Sequence, residues 1–168
     1  MKPRVSIIMG SLSDLPVMEK AAKIFDEFEI PFEMHAFSAH RTPEAVESLA
    51  MLAQSRGIEV IIAAAGMSAH LPGVVAALTT LPVIGVPIAS SLEGVDALLS
   101  IVQMPPGIPV ATVGINGAVN AAILASQIMA VNDKDLQIRL TDYKQSLKEK
   151  VIAADRELSA VKFKFKTN

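Results

Sequence analysis

The stretch Val60-Ile61-Ile62-Ala63-Ala64-Ala65 is an unbroken apolar run that ends at Gly66. A strand that is covered by helices on both faces has this composition, because side chains on both of its faces are buried. The length of the run is typical of a strand and is short for a helix. We therefore expect residues 60–65 to form the central strand of a parallel sheet.

Strand and helix patterns alternate on both sides of this run. Apolar residues recur at intervals of three and four in the predicted helices, and short β-rich runs separate these helices. The alternation predicts an α/β fold, a three-layer αβα sandwich around a parallel sheet. The predicted strands are 4–9, 32–37, 60–65, 83–86 and 110–115; predicted helices begin at 14 and 43 and span 71–78, 95–102, 120–131 and 133–158.

The ends of the first two helices carry recognisable signals. Asp14 is expected to be the N-cap of the first helix, with Pro16 in its first turn. Thr42 is expected to be the N-cap of the second helix, which begins at Pro43 and ends at Gly57. These signals place polar loops directly after the first two strands.

No linker or repeat divides the chain, so residues 1–168 are expected to form a single domain. An α/β core over about 4–131 precedes a C-terminal helix and tail over about 133–168. The apolar stripe of this last helix could fold back on its own domain or contact a neighbouring subunit, and we favour the neighbour. The stripe comprises Leu136, Leu140, Tyr143, Leu147, Val151 and Ile152.

The composition excludes several functions. The net charge of −2 provides no basic field for nucleic acid or for an anionic membrane, and the absence of Cys excludes disulfides, thiolate catalysis and Cys-ligated metals. The hydrophobic content of 51% favours a homo-oligomer in which subunit contacts cover apolar surface. Residues 1–4 contain no signal-peptide apolar region, so we expect a cytoplasmic protein.

A first polar cluster, Gly10-Ser11-Leu12-Ser13-Asp14, follows the first predicted strand. Backbone N–H groups at the start of the next helix attract anions, and the two serine hydroxyls add donors. The cluster fits phosphate or ribose binding, and it fits simple helix capping equally well. It matches neither the P-loop nor the dinucleotide-binding glycine pattern.

A second polar cluster, Ser38-Ala39-His40-Arg41-Thr42-Pro43, follows the second predicted strand. The planar guanidinium of Arg41 can bind phosphate through two hydrogen bonds. His40 can exchange a proton near neutral pH. A histidine in an ordinary surface loop is the alternative, but the flanking small polar residues favour a functional site.

A third cluster, Gly66-Met67-Ser68-Ala69-His70-Leu71-Pro72-Gly73, follows the central strand. The small residues before His70 let a ligand ring approach the backbone closely. A structural role for His70 remains an open alternative. A metal site is not expected, because zinc requires at least three protein ligands and His35 lies on a strand away from His40 and His70.

Taken together, five motifs resemble the PurE family of N5-carboxyaminoimidazole ribonucleotide mutases over about residues 4–131. In chain order they are M-G-S-x-S-D, S-A-H-R-T-P, A-H-L-P-G, P-V-I-G-V-P and S-I-V-Q-M-P. The resemblance implies a flavodoxin-like fold, a homo-octamer with active sites at subunit contacts, and purine biosynthesis. It also implies transfer of a carboxylate from the exocyclic nitrogen to carbon C4 of an aminoimidazole ribonucleotide, without a metal or an organic cofactor.

The resemblance also assigns roles to residues of the three polar clusters. It implies that His40 is the acid/base that moves protons, and that Ser11, Asp14 and Arg41 hold the ribose phosphate end, with Ser38 as an added contact. The remaining expected substrate-binding residues belong to the third cluster and are Gly66, Ser68, His70 and Leu71.

The chain departs from the family pattern at three places. Met67 stands where a glycine is usual, so its side chain either points away or alters the pocket. The loop at 89–92 is one residue shorter than usual, and the stretch 114–118 lacks the longer Gly-Lys-Ala-Gly form. No ligand contacts are assigned to these two segments.

Two other functions are considered. A related branch of the family carboxylates aminoimidazole ribonucleotide directly with CO2; it typically has Lys at the position of Arg41 and lacks the sequence His70-Leu71-Pro72-Gly73. Both features favour the mutase branch. A non-catalytic nucleotide-binding module of flavodoxin-like fold would instead bind its ligand without turnover, whether or not His40 is present.

Overall fold

The computed structural model describes residues 1–168. The strands are β1 (Val5–Met9), β2 (Phe32–Ala36), β3 (Val60–Gly66), β4 (Val83–Ile88) and β5 (Ala111–Thr112). The helices are α1 (Leu15–Glu27), α2 (Pro43–Arg56), α3 (Leu71–Leu78), α4 (Val95–Val102), α5 (Ala118–Ala130) and α6 (Lys134–Ala160). Single 3₁₀ turns lie at Leu12–Asp14 and Leu92–Gly94.

The five strands form one parallel sheet in the order β2-β1-β3-β4-β5. In register, Val5 of β1 pairs with Phe32 of β2 on one side and with Val60 of β3 on the other. This order is the flavodoxin-like order of doubly wound proteins. The predicted α/β fold with a flavodoxin-like sheet is confirmed.

Helices cover both faces of the sheet, since alternate residues of each strand belong to different cores. Ile7 and Ile62 pack with α1, α5 and the start of α6 on one face. Ile8 and Ile61 pack with α2, α3 and α4 on the other face. Residues 60–65 are buried on both faces, as a central parallel strand requires.

The order in which strands are added to the sheet reverses between β1 and β3: β2 lies on one side of β1, and β3, β4 and β5 lie on the other. The segments that follow these two neighbouring strands lead to α1 and α3, which lie on opposite faces of the sheet. In doubly wound proteins, ligands bind in the crevice that opens beyond the strand ends at such a point. The fold therefore indicates a ligand site among the loops that follow β1, β2 and β3.

The predicted extent of the last strand is wrong. Strand β5 was expected over 110–115 but pairs only at Ala111 and Thr112, opposite Ile84 and Gly85. Strand β5 lies at the edge of the sheet and follows Pro109. After it the chain turns into a loop, in which the backbone N–H of Asn116 donates to the carbonyl oxygen of Pro87.

The predicted capping residues also act differently. The hydroxyl of Thr42 does not cap α2; it accepts a hydrogen bond from the Ser38 N–H at 2.9 Å and donates to the Ser38 carbonyl at 3.1 Å. Asp14 does not cap α1 through its side chain. Instead, Ser11 and Asp14 form a reciprocal capping box around the preceding 3₁₀ turn.

Helix α6 packs on its own body only through its first part. Leu136 and Leu140 are buried against the α1 and α5 side of the core, and Tyr143 makes an edge-on contact with Phe28. From Leu147 onward the helix is exposed. None of the six helices combines the length and apolar character needed to cross a membrane.

Candidate active site

A cavity of about 580 Å³ lies beyond the carboxyl ends of β1, β2 and β3. Its lining comes from all three polar clusters, from Ala65 in β3 and from one residue after β4. The residues are Gly10, Ser11, Ser13, Asp14, Ser38, Ala39, His40, Arg41, Ala65, Gly66, Met67, Ser68, His70, Leu71 and Ser90. All nine residues expected from the sequence to form the site are among them, so the structure brings the three clusters together.

The two histidines of the cavity are in direct contact. The Nε2 atom of His40 lies 2.8 Å from the Nδ1 atom of His70, and the ring planes are nearly perpendicular. A hydrogen bond at this distance needs a hydrogen on one nitrogen and a lone pair on the other. One ring therefore donates and the other accepts, and the tautomers of the two rings decide which does which.

The loop that carries His40 is held by Ser38. The Ser38 hydroxyl accepts hydrogen bonds from the backbone N–H of His40 at 3.4 Å and of Arg41 at 3.3 Å. Its carbonyl accepts one from the Thr42 N–H at 2.8 Å. Ser38 thus fixes the backbone that presents the imidazole and the guanidinium to the cavity.

Arg41 is tied to the end of β1. Its Nη2 atom donates to the carbonyl oxygen of Gly10 at 3.2 Å. This bond places the guanidinium beside Ser11, at the start of the segment that leads into α1. A guanidinium has five N–H donors, so most remain free to bind an anion in the cavity.

Asp14 is the buried carboxyl of the site. Its Oδ2 atom accepts the Ser11 N–H at 3.3 Å, and its Oδ1 atom accepts the Ser13 hydroxyl at 3.3 Å. Burial raises the pKa of Asp14 above its ordinary value, although the hydrogen bonds from Ser11, Ser13 and Gly10 act in the opposite direction. The carboxyl is therefore held rigidly, with part of its hydration removed.

The backbone after β3 comes close to the neighbouring loop. A Cβ atom on Gly66 would lie 3.2 Å from the Ile88 carbonyl oxygen and 3.2 Å from the Ser90 Cβ, so only glycine fits without a shift. The next residue, Met67, has a φ of 55°, in the left-handed region that favours glycine. Its side chain is 59% exposed, so it lies at the mouth of the cavity.

Comparison with known proteins assigns the chain to a family. Residues 4–150 match the family model described as AIR carboxylase. The chain belongs to the AIR carboxylase family. The predicted membership of the PurE family is thereby confirmed.

Two relatives with high identity share one name. The chain is 60% identical over 147 residues to a Pyrococcus abyssi protein named N5-carboxyaminoimidazole ribonucleotide mutase, covering 87% of this chain and 84% of that protein. A Thermotoga maritima protein of the same name is 53% identical over 163 residues, with 96% and 95% covered. These names agree with the predicted mutase branch and with an isomerase as the type of enzyme.

A solved structure supports the same family. The crystal structure of Treponema denticola PurE2-S38D superposes with a TM-score of 0.82 at 34% sequence identity. The superposition covers 94% of this chain and 99% of the other. The flavodoxin-like arrangement described above is therefore shared with a PurE protein.

Some lining residues of this AIR carboxylase family member were not predicted. Ser13 and Met67 lie within the quoted clusters, and their position after a strand was the available signal. Ser90 follows β4, in a loop to which no ligand contact was assigned. Only its proximity to Gly66 across the β3–β4 pair places it in the cavity.

Proposed function

We propose that the chain converts N5-carboxyaminoimidazole ribonucleotide to 4-carboxyaminoimidazole ribonucleotide in de novo purine biosynthesis. The proposal rests chiefly on one observation: the His40–His70 pair shares a cavity with the anion-binding groups of Ser11 and Arg41. A ribonucleotide needs both functions in one place, since its phosphate must be held while its ring is protonated and deprotonated. The names of the relatives specify which ribonucleotide.

His40 is proposed to move the protons. It donates a proton to the carbamate nitrogen of the substrate, the N–C bond breaks, and CO2 leaves with the exocyclic amine restored. The electron-rich C4 of the imidazole then attacks the CO2 carbon, and His40 takes the C4 proton so that the ring becomes aromatic again. One proton is given and one is recovered, so the histidine ends in its starting state.

Ser11, Asp14, Ser38 and Arg41 are proposed to hold the ribose phosphate end. The guanidinium of Arg41, bonded to Gly10 at the end of β1, offers a fixed positive charge with planar donors, which is the geometry that phosphate binds best. Gly66, Ser68 and Leu71 would border the imidazole ring. Their small or apolar character leaves room for CO2 between the two steps.

A subunit contact is proposed to complete the site. His40, Arg41 and His70 are exposed in a single copy of the chain, so the cavity is open to solvent. Retention of CO2 requires that water be kept out. A homo-octamer that places a neighbouring subunit over this opening would close it.

The proposed location of the enzyme is the cytoplasm.

The test is an assay of the purified protein with each ribonucleotide, with and without bicarbonate. We expect conversion of N5-carboxyaminoimidazole ribonucleotide without added bicarbonate. Turnover of aminoimidazole ribonucleotide with bicarbonate, in the absence of the former reaction, would assign the chain to the carboxylase branch. Binding without any turnover would indicate the non-catalytic module.

A further inference from the structure

Five serines line the cavity, and they differ in how their hydroxyls are used. The hydroxyls of Ser11, Ser13 and Ser38 take part in hydrogen bonds within their own loops. The hydroxyls of Ser68 and Ser90 have no hydrogen-bond partner within the chain. A hydroxyl has one donor hydrogen and two acceptor lone pairs. Ser68 and Ser90 are therefore the serines whose whole hydrogen-bonding capacity is open to a ligand.

Ser90 lies on the side of the cavity away from the guanidinium of Arg41. Arg41 is bonded to Gly10 at the end of β1, whereas Ser90 follows β4, two strands along the sheet. Neighbouring strands are about 4.8 Å apart, so the ends of β1 and β4 are about 10 Å apart. Arg41 is the only arginine or lysine in the lining. The cavity therefore has a cationic side and a side with a free hydroxyl and no cation.

The loop that carries Ser90 has an unfavourable backbone. Its residues Leu92, Glu93 and Gly94 have φ angles of 44°, 55° and 82°, and only glycine adopts such angles freely. A Cβ atom on Gly94 would lie 2.7 Å from the Cγ2 atom of Ile115, so the loop after β5 packs closely against this loop. A strained loop keeps its shape only where its surroundings fix it. The position of Ser90 therefore depends on contacts from outside its own loop.

Asn116, in the loop after β5, provides such a contact. Its Oδ1 atom accepts the Ala89 N–H at 3.0 Å, and its backbone N–H donates to the Pro87 carbonyl oxygen at 2.8 Å. Asn116 thus bonds to two of the three residues that directly precede the strained part of the loop, and Ser90 is the third. Both loops are segments in which the chain departs from the usual family pattern. Asn116 therefore joins the two loops at the point where Ser90 enters the cavity.

We propose that Ser90 is a further substrate-binding residue, which binds the carboxylate that the reaction transfers, and that Asn116 positions it. The inference rests on the proposed function. With the phosphate held beside Arg41, the ring and its carboxylate lie toward the ends of β3 and β4. The Ser90 hydroxyl donates a hydrogen bond to a carboxylate oxygen and keeps its proton, so it makes and breaks no covalent bond.

Steady-state kinetics of the full chain separates a carboxylate contact from a general disturbance of the loop. The substrate N5-carboxyaminoimidazole ribonucleotide carries the carboxylate, and the inhibitor aminoimidazole ribonucleotide, tested without bicarbonate, lacks it. Ser90→Ala should raise the KM of the substrate about 10-fold and leave the inhibition constant unchanged. An unchanged KM, or an equal rise in both constants, would overturn the proposal. Ser100→Ala, which removes a hydroxyl bonded to the Asp96 carbonyl within α4, is the matched control and should behave as the parent.

Variants of Asn116 test the positioning role. Asn116→Gly removes the Oδ1 acceptor but suits the φ of 56°, whereas Asn116→Asp keeps an acceptor. The glycine variant should raise the KM about 3- to 10-fold, because Ser90 is then in place for only part of the time, and the aspartate variant should stay near the parent. Combined with Ser90→Ala, Asn116→Gly should add no further loss, because it acts through Ser90. An additive loss, or equal effects of glycine and aspartate, would overturn the positioning role.

The same assay distinguishes this inference from the proposed function. Absence of turnover of N5-carboxyaminoimidazole ribonucleotide by the parent protein would overturn the proposed function, and the inference with it. Turnover by the parent together with an unchanged KM in Ser90→Ala would overturn the inference alone. An unchanged inhibition constant also shows that a variant is folded, since the inhibitor binds in the same cavity.

Discussion

The imidazoles of His40 and His70 meet at 2.8 Å although they are thirty positions apart in the chain and follow different strands. No carboxylate bonds to either ring, so each histidine is the other's hydrogen-bond partner. An acid/base normally has its tautomer fixed by such a partner. His70 is in the position to do this for His40, the proposed acid/base.

Substitution His40→Asn should remove turnover while retaining substrate binding. Asn can still form hydrogen bonds in the loop but cannot transfer a proton, so we expect a loss of at least about 100-fold in kcat. Steady-state assays and direct binding measurements separate the two effects. The matched control is His35→Asn, because His35 lies outside the cavity. Retained turnover in the His40 variant would reject its role.

Substitution Arg41→Ala should weaken ribonucleotide binding more than it slows the chemical step. A charge-assisted hydrogen bond contributes about 1.5–3 kcal/mol, so the Kd should rise about 10- to 100-fold. Arg41→Lys keeps the charge but loses the planar pair of donors, and its Kd should lie between the two. Titration calorimetry with the ribonucleotide measures these values. Equal affinity in all three proteins would count against the phosphate contact.

Substitution Met67→Gly should stabilise the protein slightly and leave turnover within a few-fold. The left-handed backbone at Met67 costs about 1–2 kcal/mol, and the greater freedom of glycine in the unfolded chain offsets about half of this gain. Met67→Val should lower the free energy of unfolding instead, because a β-branched residue tolerates this backbone poorly. Urea denaturation provides the measurement. A large loss of kcat in the glycine variant would show that the thioether takes part in the site.

Substitution Asp14→Asn should change the pH dependence of stability. Burial raises the pKa of Asp14, so its contribution to stability is fully present below the unfolded-state pKa and is lost as the pH rises through the folded-state pKa. Asparagine keeps an acceptor for the Ser11 N–H and does not ionise. The variant should therefore gain stability relative to the parent as the pH rises above about 4 and through the folded-state pKa of Asp14, as measured by urea denaturation. A constant difference across this range would contradict the prediction.

The elements of the fold were largely predictable because each depends on local patterns. The buried residues of α2 lie at the spacing read from the sequence, and α3 and α4 begin and end where predicted. Strand β5 was overestimated, because apolar residues in an edge segment form a strand only where a neighbour is available for pairing. The side-chain caps expected of Asp14 and Thr42 depended on the same kind of contact, and neither side chain caps its helix.

The sequence by itself determined the order of strands and helices and the three polar clusters, since hydrophobic periodicity and the residues at strand ends are local properties. Only the tertiary structure decided that His40 contacts His70, that Arg41 is tied to Gly10, and that Ser90 reaches the cavity. These contacts join segments that follow different strands, and their distances depend on the β2-β1-β3-β4 order and on the packing of helices against the sheet. No single segment of the sequence contains that information.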